Sequence, residues 1–212
     1  MTSNKWFPIA EEITGTTPNM VWMLNENNQM ALFKPDMTGN DYLIEDTIYR
    51  VATFFNIPCS KVLPYTLNGI TGFLSIVENI PNCHRINGTD FYQDITLKSP
   101  SLCKIAFLDA LCRNQDRHIG NIDFLISPSN KTVAPSYDTV LSLSNSFTES
   151  AMLGITANKT YSHREIFSYL KSLDFMQDTI AKIQTKEFKE LCNDLEYDDF
   201  IYNRAKEFIK LP

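Results

Sequence analysis

The chain is short of the features that mark several common classes. It has no apolar run of about 18 residues, so no membrane-spanning helix is expected. No basic start leads into an apolar stretch, so no secretory leader is expected. The five cysteines, Cys59, Cys83, Cys103, Cys112 and Cys192, are odd in number and widely spread, with no C-x-x-C pair. That pattern suits neither a zinc site nor a disulfide framework, and it points to free thiols in a reducing, cytoplasmic setting. His84, His118 and His163 show no metal-ligand spacing either. Positive charge is not in excess. At a net charge of −6, neither direct nucleic-acid binding nor an anionic membrane partner is expected. There is no internal repeat and no low-complexity run.

What is present is an ordinary folding composition, 43% hydrophobic and 21% charged over 212 residues. A chain of this length forms one domain or two lobes and can bury a proper core.

The most informative stretch is Leu108 to Ile126. It begins as the end of an apolar helix striped by Leu102, Ile105, Ala106, Leu108, Leu111 and Cys112, and it ends as a short buried strand. Between them lies a tight polar loop holding Asp116, His118 and Asn121. An aspartate and an asparagine five residues apart match the need of a phosphoryl-transfer loop. The carboxylate receives the proton of the attacking hydroxyl, and the amide holds a metal ion on the nucleotide phosphates. A third group is expected on a later strand turn, and Asp138 in Pro135-Ser136-Tyr137-Asp138-Thr139 fits. One such spacing is weak, since Asp and Asn are common turn and cap residues. The D-R-H-x-x-N and Y-D-T-V-L-S stretches together carry more weight.

Upstream, residues 1–18 are polar and close in a Gly15-Thr16-Thr17-Pro18 turn. Met20–Leu24 and Met30–Lys34 read as strands around the Asn25–Asn28 loop, and Lys61–Tyr65 and Gly72–Val77 as two more around Asn68-Gly69. Asp41–Asn56 reads as an amphipathic helix. Lys34 has two readings, a solvated edge-strand lysine or a nucleotide-facing one. Glu45 has two as well, a first-turn macrodipole contact or the partner that aims Lys34. Glu78-Asn79-Ile80-Pro81 ends the sheet, where two lobes would join and adenine would meet backbone amides. Pro81–Gly88 reads as a polar linker. Beyond Leu97 the chain is mostly helical, with a loop over 144–160, a Ser162/Glu165 capping box and terminal helices over Lys186–Leu195 and Asp198–Leu211. The expected fold is α+β and two-lobed. A small antiparallel-sheet lobe over 1–80 binds nucleotide, and a mostly helical lobe over 81–212 is catalytic.

In order, Phe33-Lys34-Pro35, Glu45 in a helix closing on Phe55-Asn56-Ile57-Pro58, N-Q-D-R-H-I-G-N and Y-D-T-V-L-S resemble the HipA-like serine/threonine kinases, the toxin half of bacterial toxin–antitoxin pairs. The resemblance runs from about Gly15 to Ser142. It implies a protein-kinase-like fold using ATP and Mg²⁺ on a protein substrate. Asp116 would be the catalytic base, Asn121 and Asp138 the metal ligands, and Lys34 the ATP contact. It places His118 at a loop histidine shared with the phosphoinositide kinases, where it either bonds the γ-phosphate or braces the loop. It also implies an antitoxin partner with a helix-turn-helix. The chain departs from longer HipA proteins in starting almost at the nucleotide lobe. Its expected phosphate-covering loop, Gly15-Thr16-Thr17-Pro18-Asn19, has one glycine and no G-x-G-x-x-G pattern. In some relatives a serine of this loop is autophosphorylated, and Thr16 or Thr17 is the candidate here. Two rivals remain. A lipid kinase would want a basic, apolar-tipped loop after Asp138, yet 139–160 contains one lysine, Lys159, and no arginine. A pseudokinase binding module would not need every polar group, and all are present.

Overall fold

The computed structural model describes residues 5–9, 18–78, 82–91, 97, 99–128, 131–136, 138–144, 150–151, 153, 155–156 and 159–211. The chain opens with β1 (Trp6–Pro8), β2 (Val21–Asn25), β3 (Met30–Pro35), α1 (Asp41–Phe54), β4 (Val62–Leu67) and β5 (Ile70–Ile76). The five strands form one antiparallel sheet in the order β1-β2-β3-β5-β4. The expected hairpins are there for local reasons. Asn25 Oδ1 accepts from the amides of Asn27 and Gln29 and closes the β2–β3 turn. Asn68 and Gly69, both at positive φ, make the two-residue β4–β5 turn. β1 falls inside the stretch read only as polar. It pairs in register with β2, Phe7 opposite Leu24, and three residues are too few to show a period.

β3 is an interior strand with β2 on one side and β5 on the other. This excludes the edge-lysine reading of Lys34. Opposite the end of β3, Gly72 pairs with Pro35, and a Cβ on it would lie 2.2 Å from the Lys34 carbonyl oxygen. Only glycine permits the two backbones that approach.

α1 does not rest its apolar face in the sheet's own core. Ile48, Val51, Ala52 and Phe55 belong to the large helical core. The sheet has a separate small core of Met23, Ala31, Phe33, Leu74 and Ile76. α1 stops at Phe54, and Asn56 turns left-handed while the Ile57 amide bonds back to Ala52 O, a common helix-ending device.

The second half holds β6 (His84–Asn87), α2 (Gly88–Phe91), α3 (Pro100–Cys112), β7 (Asp123–Ile126), β8 (Lys131–Val133), β9 (Ser150–Ala151), β10 (Tyr161–Ser162), α4 (His163–Lys171), α5 (Gln177–Ala181), α6 (Lys186–Asn193) and α7 (Asp198–Ile209). α3 is its axis. Every residue from Ile105 to Cys112 is buried, so the helix is enclosed all round, not striped. Phe107 meets Phe55, just past α1, at 4.9 Å and Phe167 of α4 at 5.7 Å between ring centroids. The segment expected to be a linker contains β6, which pairs with β7 in a three-stranded sheet β6-β7-β8. Part of the expected loop over 144–160 pairs as well, β9 with β10. The Ser162 capping box forms as expected, with Ser162 Oγ accepting from the Glu165 amide and Glu165 Oε2 accepting from the Ser162 amide. Among the described residues no helix is long and apolar enough to cross a membrane.

Candidate active site

Lys34 projects from β3 into the space between the sheet, α1 and the segment that follows β8. Its Nζ donates to Glu45 Oε1 and to Asp138 Oδ1, both at 2.9 Å. The Lys34 and Glu45 side chains are 9% and 3% exposed, whereas Asp138 is 37% exposed and faces solvent. Burial pulls the Lys34 ammonium toward deprotonation, but the Glu45 and Asp138 carboxylates outweigh it and hold its pKa above the ordinary lysine value. Glu45 Oε1 also accepts from the Thr139 amide at 3.4 Å. The macrodipole reading of Glu45 is therefore incomplete, because its carboxylate aims Lys34 and holds the residue after Asp138. Asp138 sits at φ 56°, a left-handed conformation that aspartate tolerates better than most side chains.

The loop after α3 forms a second cluster. α3 ends at Arg113 in the left-handed region. The Asp116 amide donates to Asn114 Oδ1 at 3.0 Å. Asn121 Nδ2 donates to Asp116 O at 2.7 Å and to Asp116 Oδ2 at 3.1 Å. The five-residue spacing thus closes on itself through one amide group. His118 Nδ1 accepts from the Gly120 amide at 3.0 Å and caps a single 3₁₀ turn, Ile119–Asn121. Its Nε2 lies 3.8 Å from Asp116 Oδ1. A Cβ on Gly120 would lie 2.8 Å from His118 Cε1, so any larger residue there would push the imidazole off the amide it caps.

The two clusters are tied to each other at both ends of the Asp138 segment. Arg117 Nη2 donates to Ser136 Oγ at 2.7 Å, and the Gln115 amide donates to Leu141 O at 3.0 Å. The Ser136 backbone also pairs with Pro58 and Ser60, just past α1.

Arg117 is a site residue to which the loop spacing assigns no role. Its side chain is 1% exposed. It reaches Asp109 of α3 through Nε and Nη2, the carbonyl of Asn121 through Nη1, and Ser136. Burial opposes its charge, but Asp109 beside it more than compensates and keeps it firmly protonated. The available signal was Asp109 itself, an acid within the buried run Ile105–Cys112 that must have a partner.

Of the expected residues, Lys34, Glu45 and Asp138 therefore meet directly, and so do Asp116, His118 and Asn121. Glu78 lies exposed just beyond β5. Gly15, Thr16, Thr17 and Ile80 fall outside the described residues.

No protein-family model matches the chain, and no curated protein sequence matches it. Solved structures do. The Helicobacter pylori proinflammatory kinase CtkA is similar at a TM-score of 0.63 and 14% identity, over 98% of this chain and 93% of that one. HipA, in a complex with HipB and operator DNA from Shewanella oneidensis MR-1, gives a TM-score of 0.47 and 13% identity, over 85% of this chain and 58% of that one. At such identities what is shared with CtkA is the fold. The chain has the two-lobed kinase fold, with an antiparallel sheet on one side and a mostly helical body on the other.

Proposed function

We propose that the chain is a kinase that uses ATP and Mg²⁺ to phosphorylate a serine or threonine hydroxyl of a protein. One observation carries this reading. A buried lysine bonded to both Glu45 and Asp138 is tied, through the segment that carries Asp138, to a loop that presents Asp116 and Asn121 together.

The donor set fits Mg²⁺. That ion takes one or two protein oxygens and completes its shell with phosphate and water. Lys34 engages Asp138 Oδ1, which leaves Oδ2 available as a ligand. Asn121 spends its Nδ2 on Asp116, which leaves Oδ1 as the ligand atom. Among the described residues no three His, Cys, Asp or Glu side chains gather to cage a metal, so phosphate oxygens would complete the shell. Held by Asn121 and Asp138, such an ion would neutralise charge on the transferring phosphoryl group.

The chain's own groups then have distinct tasks. Lys34, aimed by Glu45, binds the phosphates. Trp22 and Leu32 pair across β2 and β3 on the face that carries Lys34, and they are half-buried, an apolar surface for the base. The acceptor hydroxyl oxygen bonds to the γ-phosphorus while the bond to the bridging oxygen breaks and ADP leaves. The hydroxyl proton passes to the Asp116 carboxylate. A protein acceptor is favoured over a lipid because 139–160 holds a single lysine and no arginine. A toxin role and an antitoxin partner with a helix-turn-helix carry over from the motif resemblance alone.

The test is transfer from labelled ATP with Mg²⁺ to lysate proteins or to lipid vesicles. Asp116→Ala should lose about 10²–10⁴-fold in rate, the usual worth of a general base, with ATP affinity little changed. Transfer by Asp116→Ala at the wild-type rate would end the reading, and label in the lipid alone would move it to a lipid kinase. The same reaction, followed by intact mass, tests phosphate addition at Thr16 or Thr17. An active preparation that gains no mass excludes autophosphorylation.

A further inference from the structure

Resting on the phosphoryl-transfer reading, we propose that the buried Asp109–Arg117 pair is a positioning device that couples the proton-accepting loop to the cation-holding segment. Four hydrogen-bonded links carry this. Asp109 Oδ1 accepts from Asn114 Nδ2 at 2.9 Å, and Asn114 Oδ1 in turn accepts the Asp116 amide. Arg117 donates to the carbonyl of Asn121. It donates also to Ser136 Oγ, two residues before Asp138. One planar guanidinium and one carboxylate therefore set Asp116, Asn121 and the approach to Asp138. Those are the groups whose spacing in-line phosphoryl transfer depends on.

The arrangement is enclosed. Asp109 and Arg117 are 5% and 1% exposed, so bulk water is not at hand to replace a lost bond. From the far side His163 of α4 fixes the same unit. Its Nε2 lies 3.1 Å from the Asn114 carbonyl and, since a carbonyl only accepts, it donates. A guanidinium suits the task because its donors form a rigid fork that meets a carboxylate, a carbonyl and a hydroxyl at fixed angles. A lysine is a single flexible point of charge.

A pair that merely held the fold together would show no directional coupling between its two ends. Asn114 and Ser136 separate the two cases, because each can be shortened while Arg117 stays on Asp109. Asn114→Ala and Ser136→Ala, alone and combined, are followed by hydrogen–deuterium exchange and by the rate of phosphate transfer against ATP and Mg²⁺. Ser136→Ala should raise exchange about tenfold over 114–121, a segment it does not belong to, and Asn114→Ala should do the same over 138–144. Each single variant should lower kcat about 10–100-fold, as displacements of an ångström do, with the KM for ATP within about twofold of wild type. The double variant should be no worse than the worse single, since both act through one unit. Arg117→Lys should match the double variant if it folds. Loosening confined to each variant's own segment, or multiplied losses in the double, would overturn the coupling. A wild-type protein that transfers no phosphate would remove the kinase reading instead, and exchange alone would then decide the coupling.

Discussion

The sheet and the helical body are held together on different scales. Among the described residues the sheet's small core is Met23, Ala31, Phe33, Leu74 and Ile76, rimmed by half-buried residues such as Trp6 and Tyr65. The helical body wraps α3 on all sides, and it takes α1 into the same core. Ring contacts of Phe54 and Phe55 with Phe188, together with Arg50 to Asp194 O and Lys182 to Phe54 O, bind α1 there. The Lys34–Glu45 pair thus joins a strand of the smaller unit to a helix rooted in the larger one. The molecule can therefore yield first at the sheet. Glu45, Asp116, Asn121 and Asp138 sit on the well-anchored side, and Lys34 is the group whose position depends on the sheet.

That contrast is broken most severely by emptying each core in turn. Phe55→Ala should cost about 3–5 kcal/mol, the usual range for a buried phenylalanine, and should lower stability globally. Phe33→Ala removes the same atoms from the small core. Its effect should concentrate in β2, β3 and β5, read as faster amide exchange there than in α3, because regions with fewer buried contacts open first. Nucleotide affinity should fall in Phe33→Ala at a temperature where the helical body remains folded. Equal loss of protection in sheet and helices for both variants would mean a single cooperative unit and would cancel the contrast.

A smaller effect separates the two regions by pH. In the helical core burial pushes the Cys192 thiol up to about 12 and the Cys112 thiol higher still, from an ordinary value of 9.0. Both folded values lie above the unfolded ones. Their contribution is therefore complete below about pH 9 and declines above it, as the unfolded chain releases protons the folded one keeps. Lys34 is also raised, from 10.5, so its contribution in the cleft is complete below about pH 10.5 and is lost as pH climbs through its folded value. The urea midpoint should be level to about pH 9 and then fall, and Cys112→Ala should flatten the first part of that fall. A midpoint level through pH 10 would show that the thiols do not stay neutral.

The same contrast explains what the sequence made legible. The catalytic loop could be read because its bonds are local: Asp116 and Asn121, five apart, close on each other, and His118 caps its own turn. The hairpins and the Ser162 capping box were legible for the same reason. Lys34 was ambiguous because whether a strand is central or at an edge depends on partners elsewhere, and β5 reaches β3 only after α1 and β4. β6 was hidden for a like reason, since His84 pairs with Ile126 across more than forty residues of intervening chain. Arg117 stood in plain view within D-R-H, yet its function lies in contacts to Asp109 and Ser136, eight residues before it and nineteen after.

The smallest effect is expected at His118, and it sharpens the contrast within the loop itself. His118 accepts one backbone bond, from Gly120, and half of its side chain is open to solvent at 46% exposure. The residues it braces are held independently, Asp116 by Asn114 and Asn121 by Arg117. Losing it removes one cap, worth about 1 kcal/mol in comparable turns and helix starts, or about a fivefold change in rate if the whole of it is felt at the reacting groups. His118→Ala should therefore slow transfer no more than about tenfold, far less than Asp116→Ala, with the KM for ATP unchanged. His118→Asn offers a short side-chain oxygen to the Gly120 amide and should recover most of the loss. A histidine that bonds the γ-phosphate would behave differently, since its alanine variant would weaken ATP binding and the asparagine would not restore it. Rates and ATP affinities of the two variants, measured side by side, choose between a brace and a phosphate ligand.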